Sequence, residues 1–223
     1  MTRSLATTIS AIALLLLSSS AAFAQTPSAT SDARAVVPPL PRDQHEGVTI
    51  SADPYADLAR NKERFGKNNP YEAGVFAVDV TLRNDNPQPV RVNVDTIQLE
   101  VRLPNSGRQD ISWLTAIEVA DLIAHPKGLS GPSSRRLPGG IPLPNRDKKT
   151  DKIADELRPL ALDADIIAPN SSIHGFLFFN LGRQMSLARN ASLYVPDVVT
   201  LPANKALLFF EIFLGPPQAE QSQ

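Results

Sequence analysis

Between Gly74 and Leu103 the chain alternates apolar and polar side chains, and midway the alternation changes phase. Phe76, Val78, Val80 and Leu82 alternate with Ala77, Asp79, Thr81 and Arg83. Successive side chains of a strand point to opposite faces, so this spacing predicts a strand with one buried face. Asn84-Asp85-Asn86-Pro87-Gln88-Pro89 follows, a run of residues suited to a turn. Val90, Val92 and Val94 resume the pattern, but Ile97, Leu99, Val101 and Leu103 continue it on the other parity. A period of two cannot change face without an extra residue, so a bulge or bend is expected near Asp95-Thr96. Such a bend lets one run of chain serve two parts of a sandwich.

Further strands are expected at Val48-Thr49-Ile50, Ile173 to Phe179, Ala191 to Tyr194 and Ala206 to Leu214. The segment from Ile173 to Phe179 is apolar on both faces and reads as a central strand covered on both sides. Helices are few and short. Asp53-Pro54 reads as an N-cap followed by proline at the first helical position, with Tyr55, Leu58, Ala59 and Phe65 on one face and Gly66 as the stop. Thr115 and Glu118 have capping-box spacing, which predicts a helix to about Ala124 that buries Ile117, Ala120 and Ile123. Thr150 to Arg158 reads as another helix with Ile153, Ala154 and Leu157 on its inner side. Between these two helices, Pro126 to about Lys149 is a long loop rich in Gly, Pro and Ser. The expected class is therefore mainly β: an antiparallel β-sandwich with a few short helices and one long Pro/Gly-rich loop.

The chain has 223 residues, a net charge of −1 and no cysteine. It begins with Met1-Thr2-Arg3, an apolar run from Ile9 to Leu17, and Ala22-Phe23-Ala24 before Gln25, the layout of an export signal cut between Ala24 and Gln25. The run is shorter than the ~20 residues that a bilayer-spanning helix needs, so no transmembrane anchor is expected. Residues 1–24 are read as the signal, 25–46 as a flexible Pro-rich leader, and 47–215 as one domain. A helix and loop insertion lies at about 112–159, and 216–223 form a polar tail. A domain of this length buries enough surface to do without disulfides, and the expected location is periplasmic or secreted.

Val78-Asp79-Val80-Thr81-Leu82-Arg83-Asn84, a turn, and Pro89-Val90-Arg91-Val92 resemble the paired strands of bacterial extracytoplasmic Ig-like domains. Ala168-Pro169-Asn170-Ser171-Ser172-Ile173-His174-Gly175-Phe176-Leu177-Phe178-Phe179 resembles their later segment, in which a Pro-containing turn and a glycine precede a strand ending in aromatics. From about Asn69 onward the chain also resembles a group of exported bacterial proteins of unknown function. Asn69-Pro70-Tyr71-Glu72-Ala73-Gly74, Asp155-Glu156-Leu157-Arg158-Pro159-Leu160 and Ser192-Leu193-Tyr194-Val195-Pro196-Asp197-Val198 carry that likeness. The resemblance implies an Ig-like sandwich and no assigned activity.

Motifs that carry chemistry are sparse. The three histidines, His45, His125 and His174, show no metal-ligand spacing, and Asp163 and Asp165 read as turn carboxylates, so neither metal nor cofactor is expected. Gly128-Leu129-Ser130-Gly131 lacks the spacing of a nucleophile elbow. His174 reads as a structural histidine. Its alternative role is the base of an envelope hydrolase, with Asp163 or Asp165 as its carboxylate. Charge is more suggestive: Lys127, Arg135, Arg136, Arg146, Lys148 and Lys149 gather in the long loop. A basic cluster on a near-neutral chain steers anionic partners, and these residues form the candidate interaction loop. No aromatic interleaves them, which argues against nucleic acid. The sequence thus points to a non-catalytic module binding a protein or an anionic envelope component, with a purely structural or assembly role as a further alternative.

Overall fold

The alternating segment becomes the spine of the molecule. The computed structural model describes residues 39–103, 107–126 and 148–216. Its elements, in chain order, are β1 (Arg42–His45), β2 (Val48–Tyr55), α1 (Leu58–Phe65), β3 (Val75–Asn84), β4 (Val90–Val92), β5 (Gln98–Arg102), β6 (Arg108–Ser112), α2 (Ala116–Ala124), α3 (Lys148–Leu157), β7 (Ile166–Ile167), β8 (Ser171–Asn180), β9 (Ala191–Val195), β10 (Val198–Thr200), β11 (Lys205–Ala206) and β12 (Phe210–Phe213). The fold is mainly β, as expected. Antiparallel ladders build three four-stranded sheets in the orders β1-β2-β3-β8, β11-β10-β4-β7 and β12-β9-β5-β6. Phe76, Val78, Val80 and Leu82 of the first sheet share one buried core with Val90 and Val92 of the second and Leu99, Leu193 and Ile212 of the third. This is a β-sandwich arrangement.

The phase change after Val92 is a sheet switch. A 3-10 turn, Val94–Thr96, separates β4 in one sheet from β5 in another. The Trp113 indole N–H donates to the Val94 carbonyl in that turn at 3.0 Å. The turn before β4 is fastened by the buried Asn84 side chain, whose amide donates to the Gln88 carbonyl at 2.8 Å and whose oxygen accepts from the Asn86 N–H at 3.0 Å.

A second core lies on the opposite face of the first sheet. Val75 and Ala77 of β3 and Phe176 and Phe178 of β8 pack there against Val119 and Ala120 of α2 and Ile153, Ala154 and Leu157 of α3. The capping box of α2 is present, with the Thr115 hydroxyl accepting from the Glu118 N–H and the Glu118 carboxylate accepting from the Thr115 N–H. Helix α3 buries the three residues its spacing indicates. Helix α2 differs by a rotation: Val119 and Ala120 are fully buried and Ala124 nearly so, while Ile117 and Ile123 are partly buried. Lys149, at the start of α3, donates from its ammonium to the Ala124 carbonyl at 3.2 Å and so tethers the two helices.

Other elements differ from the sequence reading. Strand structure begins at Arg42, inside the segment read as leader, because Glu46 and Gly47 (φ 43° and 77°) make a two-residue turn that folds β1 back on β2. Strand β2 runs through Asp53-Pro54, which therefore do not start a helix. Pro54 is tolerated because β1 has ended: the last backbone bond on that side runs from the Ala52 N–H to the Pro41 carbonyl, so the N–H that proline lacks would face no strand. The cap of α1 is Asp57, whose carboxylate accepts from the Ala59 and Arg60 N–H groups, and the fully buried residue of that helix is Asn61. Ala206 to Leu214 splits into β11 and β12 in different sheets.

The strand expected to be central, β8, is the last of its sheet, yet its outer edge is covered. Leu114 N–H donates to the Phe178 carbonyl at 2.7 Å and Leu162 N–H to the Phe176 carbonyl at 3.0 Å. Gly175 makes the second approach possible, since a Cβ there would lie 2.6 Å from Leu162 backbone atoms. At the other margin, the Asp43 carboxylate of β1 accepts the outward N–H of Glu211 on β12 at 3.1 Å, and the His45 ring sits 4.9 Å from that of Phe210. The first and third sheets are thus joined at both margins, which blunts edges that would otherwise pair with other chains.

Candidate functional site

Two regions carry the candidate residues. Of the basic cluster, Lys127, Arg135, Arg136 and Arg146 lie outside the described residues, as do Ala24 and Gln25 at the expected cleavage point. Lys148 and Lys149 are not loop residues but part of α3. The bond from Lys149 to the Ala124 carbonyl satisfies the end of α2, where a helix leaves carbonyls unpaired. The guanidinium of Arg183 does the same for the Pro126 carbonyl.

His174 sits on the helix-side face of the first sheet, beyond the part that α1, α2 and α3 cover. Its side chain is 75% exposed, and the register sets it directly opposite Thr81 on β3, which in turn faces Ser51 on β2. The next row holds Asp53, Asp79 and Phe176. The carboxylate beside His174 is therefore Asp79, with Nδ1 3.9 Å from Oδ1, an ion-pair separation too long for a hydrogen bond. Asp163 and Asp165 are exposed on the segment leading to β7, where the Asp165 carbonyl accepts from the Val92 N–H of the second sheet.

Asp79 is the chemically distinctive group. Its Oδ1 is buried without a hydrogen-bond partner. Burial pushes its carboxyl above the ordinary carboxylate range, the nearby Asp53 adds to the rise, and His174, Arg64 and Arg60 oppose it. Asp53 is held by a two-pronged contact from Arg60, at 3.0 and 2.7 Å. The same guanidinium lies 4.3 Å from the Tyr55 ring centroid, and that of Arg64 lies 5.4 Å from the Phe176 centroid. The arrangement places an exposed imidazole at ion-pair distance from a partly buried carboxyl whose hold on its proton is raised by burial.

A second polar group occupies the outer face of the third sheet. Glu100 faces outward yet its side chain is 9% exposed, and it accepts from the Arg108 guanidinium, which also bonds Asp110 at 2.9 Å. Burial pushes the Glu100 carboxyl up, opposed first by the charge of Arg108. On the β12 side of this face, Phe209 and Phe213 are 52% and 39% exposed, Leu208 just before them is 61% exposed, and Tyr194 lies 5.6 Å from Phe209 ring to ring.

Sequence reasoning selected His174 but missed Asp79, Arg60 and Arg64. The available signal was parity: Asp79 and Thr81 share the outward face of the alternating strand. Pairing them with His174 and Asp53 requires the register of three strands distant in sequence.

Among the described residues no group of three or more His, Asp or Glu side chains is arranged to hold a metal ion, and no helix is long and apolar enough to cross a membrane.

No protein-family pattern matches the chain, and no curated protein does. Among solved structures it is similar to the yjhA protein from Bacillus subtilis, at 8% identity and a TM-score of 0.35, covering 70% of this chain and 78% of that one. It is also similar to a functionally unknown protein from Listeria monocytogenes EGD-e, at 11% identity and a TM-score of 0.32, covering 70% of this chain and 68% of that one.

Proposed function

We propose that this chain is an exported, non-catalytic sandwich protein of the Ig-like kind that works by binding a protein partner in the cell envelope. The observation that carries the reading is the exposure of three large apolar side chains, Leu208, Phe209 and Phe213, along β12 and its approach, with Phe209 against Tyr194 of β9. Exposed apolar side chains scattered singly are ordinary, whereas several on one short segment favour a contact surface. Aromatic anchors on a stiff scaffold bind at little entropic cost. The signal-like start at residues 1–24 supports the location, and an anionic envelope component contacting the basic segment is the other partner class.

Matched baits test it: residues 25–223 unchanged, with Phe209→Ser and Phe213→Ser, and with Arg135→Ser, Arg136→Ser and Arg146→Ser. A partner kept by the first bait and lost only by the second supports the reading. Loss only with the third moves recognition to the basic segment, and identical captures retire both surfaces. The mass of the protein recovered from the envelope reports cleavage after Ala24.

A second reading, an envelope hydrolase, is favoured by one specific observation, the placement of His174 beside Asp79. It expects turnover of an ester, glycan or peptide substrate that vanishes in both His174→Ala and Asp79→Asn. Turnover that survives both changes eliminates it.

A further inference from the structure

A pocket of about 450 Å³ opens between the start of α1, the 3-10 turn Pro70–Ala73 and the chain leaving β8. Ligand pockets typically span roughly 300–1,000 Å³; this one matches in volume but is wide open to solvent, with Leu58, Glu72, Arg183 and Gln184 exposed along it. Leu58, Tyr71 and Met185 supply apolar walls, while Glu72 and Arg183 bring opposite charges to the same opening, which Gln184 and Ser186 also line.

The wall bearing Arg183 is held in place by the backbone. Leu181 N–H donates to the Gly74 carbonyl at 3.0 Å and Gln184 N–H to the Leu181 carbonyl at 2.9 Å. Gly74 has φ 84°, and a Cβ there would lie 2.5 Å from the Arg183 nitrogen, so only glycine permits this approach. Arg183 itself has φ 69°, a left-handed conformation that a side-chain-bearing residue adopts only when its surroundings impose it. On the facing wall, Tyr71 N–H is fixed by the Asn69 side-chain oxygen at 2.9 Å.

The charges remain usable. One nitrogen of the Arg183 guanidinium bonds the Pro126 carbonyl, which orients the group and uses one of its five donors. Glu72 is paired with Lys62 at 3.3 Å, but both side chains are 57% exposed, and such solvated pairs hold weakly.

We infer that this pocket binds a small zwitterion with an apolar side chain, a free amino acid or a dipeptide. Its carboxylate lies on Arg183, its ammonium on Glu72, and its side chain against Leu58, Tyr71 and Met185. Charge complementarity selects this class, because a simple anion leaves Glu72 opposed and a simple hydrocarbon leaves both charges desolvated without a partner.

The chain offers a clean probe, because Met185 is the one methionine besides Met1. The protein labelled at its methionine methyl groups is titrated with L-leucyl-L-leucine, and in parallel with the N-acetylated and C-amidated forms. The unmodified dipeptide is expected to move the Met185 methyl resonance to saturation. Blocking either end weakens binding by about tenfold or more, the worth of one charged hydrogen bond. Glu72→Gln and Arg183→Gly weaken it similarly, and the glycine variant suits the local φ, so its fold is preserved. No movement of the Met185 signal, or equal binding of the blocked forms, overturns the inference.

Discussion

The helix-side face of the first sheet has two halves, built by the same strands and opposite in character. In one half Val75, Ala77, Phe176 and Phe178 are sealed beneath the helices. In the other Thr81 and Ser51 are half-buried and Arg83 and His174 are exposed, and Asp79 stands at the boundary. The opposite faces of these strands pack on the sandwich core, with Val48, Ile50, Val78, Val80, Leu82, Leu177 and Phe179 fully buried there. Two consequences follow from the contrast. A strand that reads as apolar on both sides marks a third layer above the sheet, and the point at which alternation returns marks where that layer stops. The unusual carboxyl lies at this border, half desolvated by the aromatic side and half in reach of water and cations.

The largest expected effect comes from emptying the covered half. Phe178→Ala removes a ring with no exposure, and such cavities cost about 3–5 kcal/mol. Chemical denaturation should report that loss, and amide exchange should show α2 and α3 opening before the sandwich strands. His174→Ala, the matching change in the open half, should shift stability by about 0.5 kcal/mol or less. Equal effects would erase the distinction between the halves.

Next comes the strip that covers the edge of β8. Gly175→Ala forces a methyl against the backbone of Leu162, and overpacking of this kind costs about 1–3 kcal/mol. The Leu162 amide should lose its exchange protection ahead of the rest. Thr115→Ala follows at about 1 kcal/mol, the usual worth of an N-cap side chain, read as faster exchange in the first turn of α2.

The smallest effect sharpens the border itself. Asp79 holds its proton more tightly in the folded chain than the ordinary carboxyl at 3.8, chiefly through burial. Its contribution to stability is fully present below 3.8 and is lost as pH rises through the raised value, because ionisation then acts against burial. Asp79→Asn should flatten that decline, making the variant relatively more stable at neutral pH than in acid. Urea unfolding at a series of pH values measures it, and an unchanged pH profile would mean that the cations around Asp79 already compensate for its burial.

Much of the architecture is legible in the chain because it is written in local spacing. The period of two over Phe76–Leu82 marks β3, its phase change marks the turn at Val94–Thr96, and the Thr115/Glu118 pair marks the start of α2. Burial of Ile153, Ala154 and Leu157 in α3 also follows from helical period alone. Each depends on neighbours within a few residues, where sterics and hydrogen-bond reach decide the outcome.

Tertiary structure alone decided the rest. Strand β1 is polar and exists because a tight turn returns it to β2, and Pro54 stays in a strand because no strand lies on the side its missing N–H would face. The 205–214 segment divides because its two ends pair with different sheets. The meeting of Asp79 with His174, and of Glu72 with Arg183 around one opening, joins residues about a hundred positions apart. Periodicity states which face of an element is apolar. Which elements share that face is settled by the packing of the whole chain, and the sites arise from that packing.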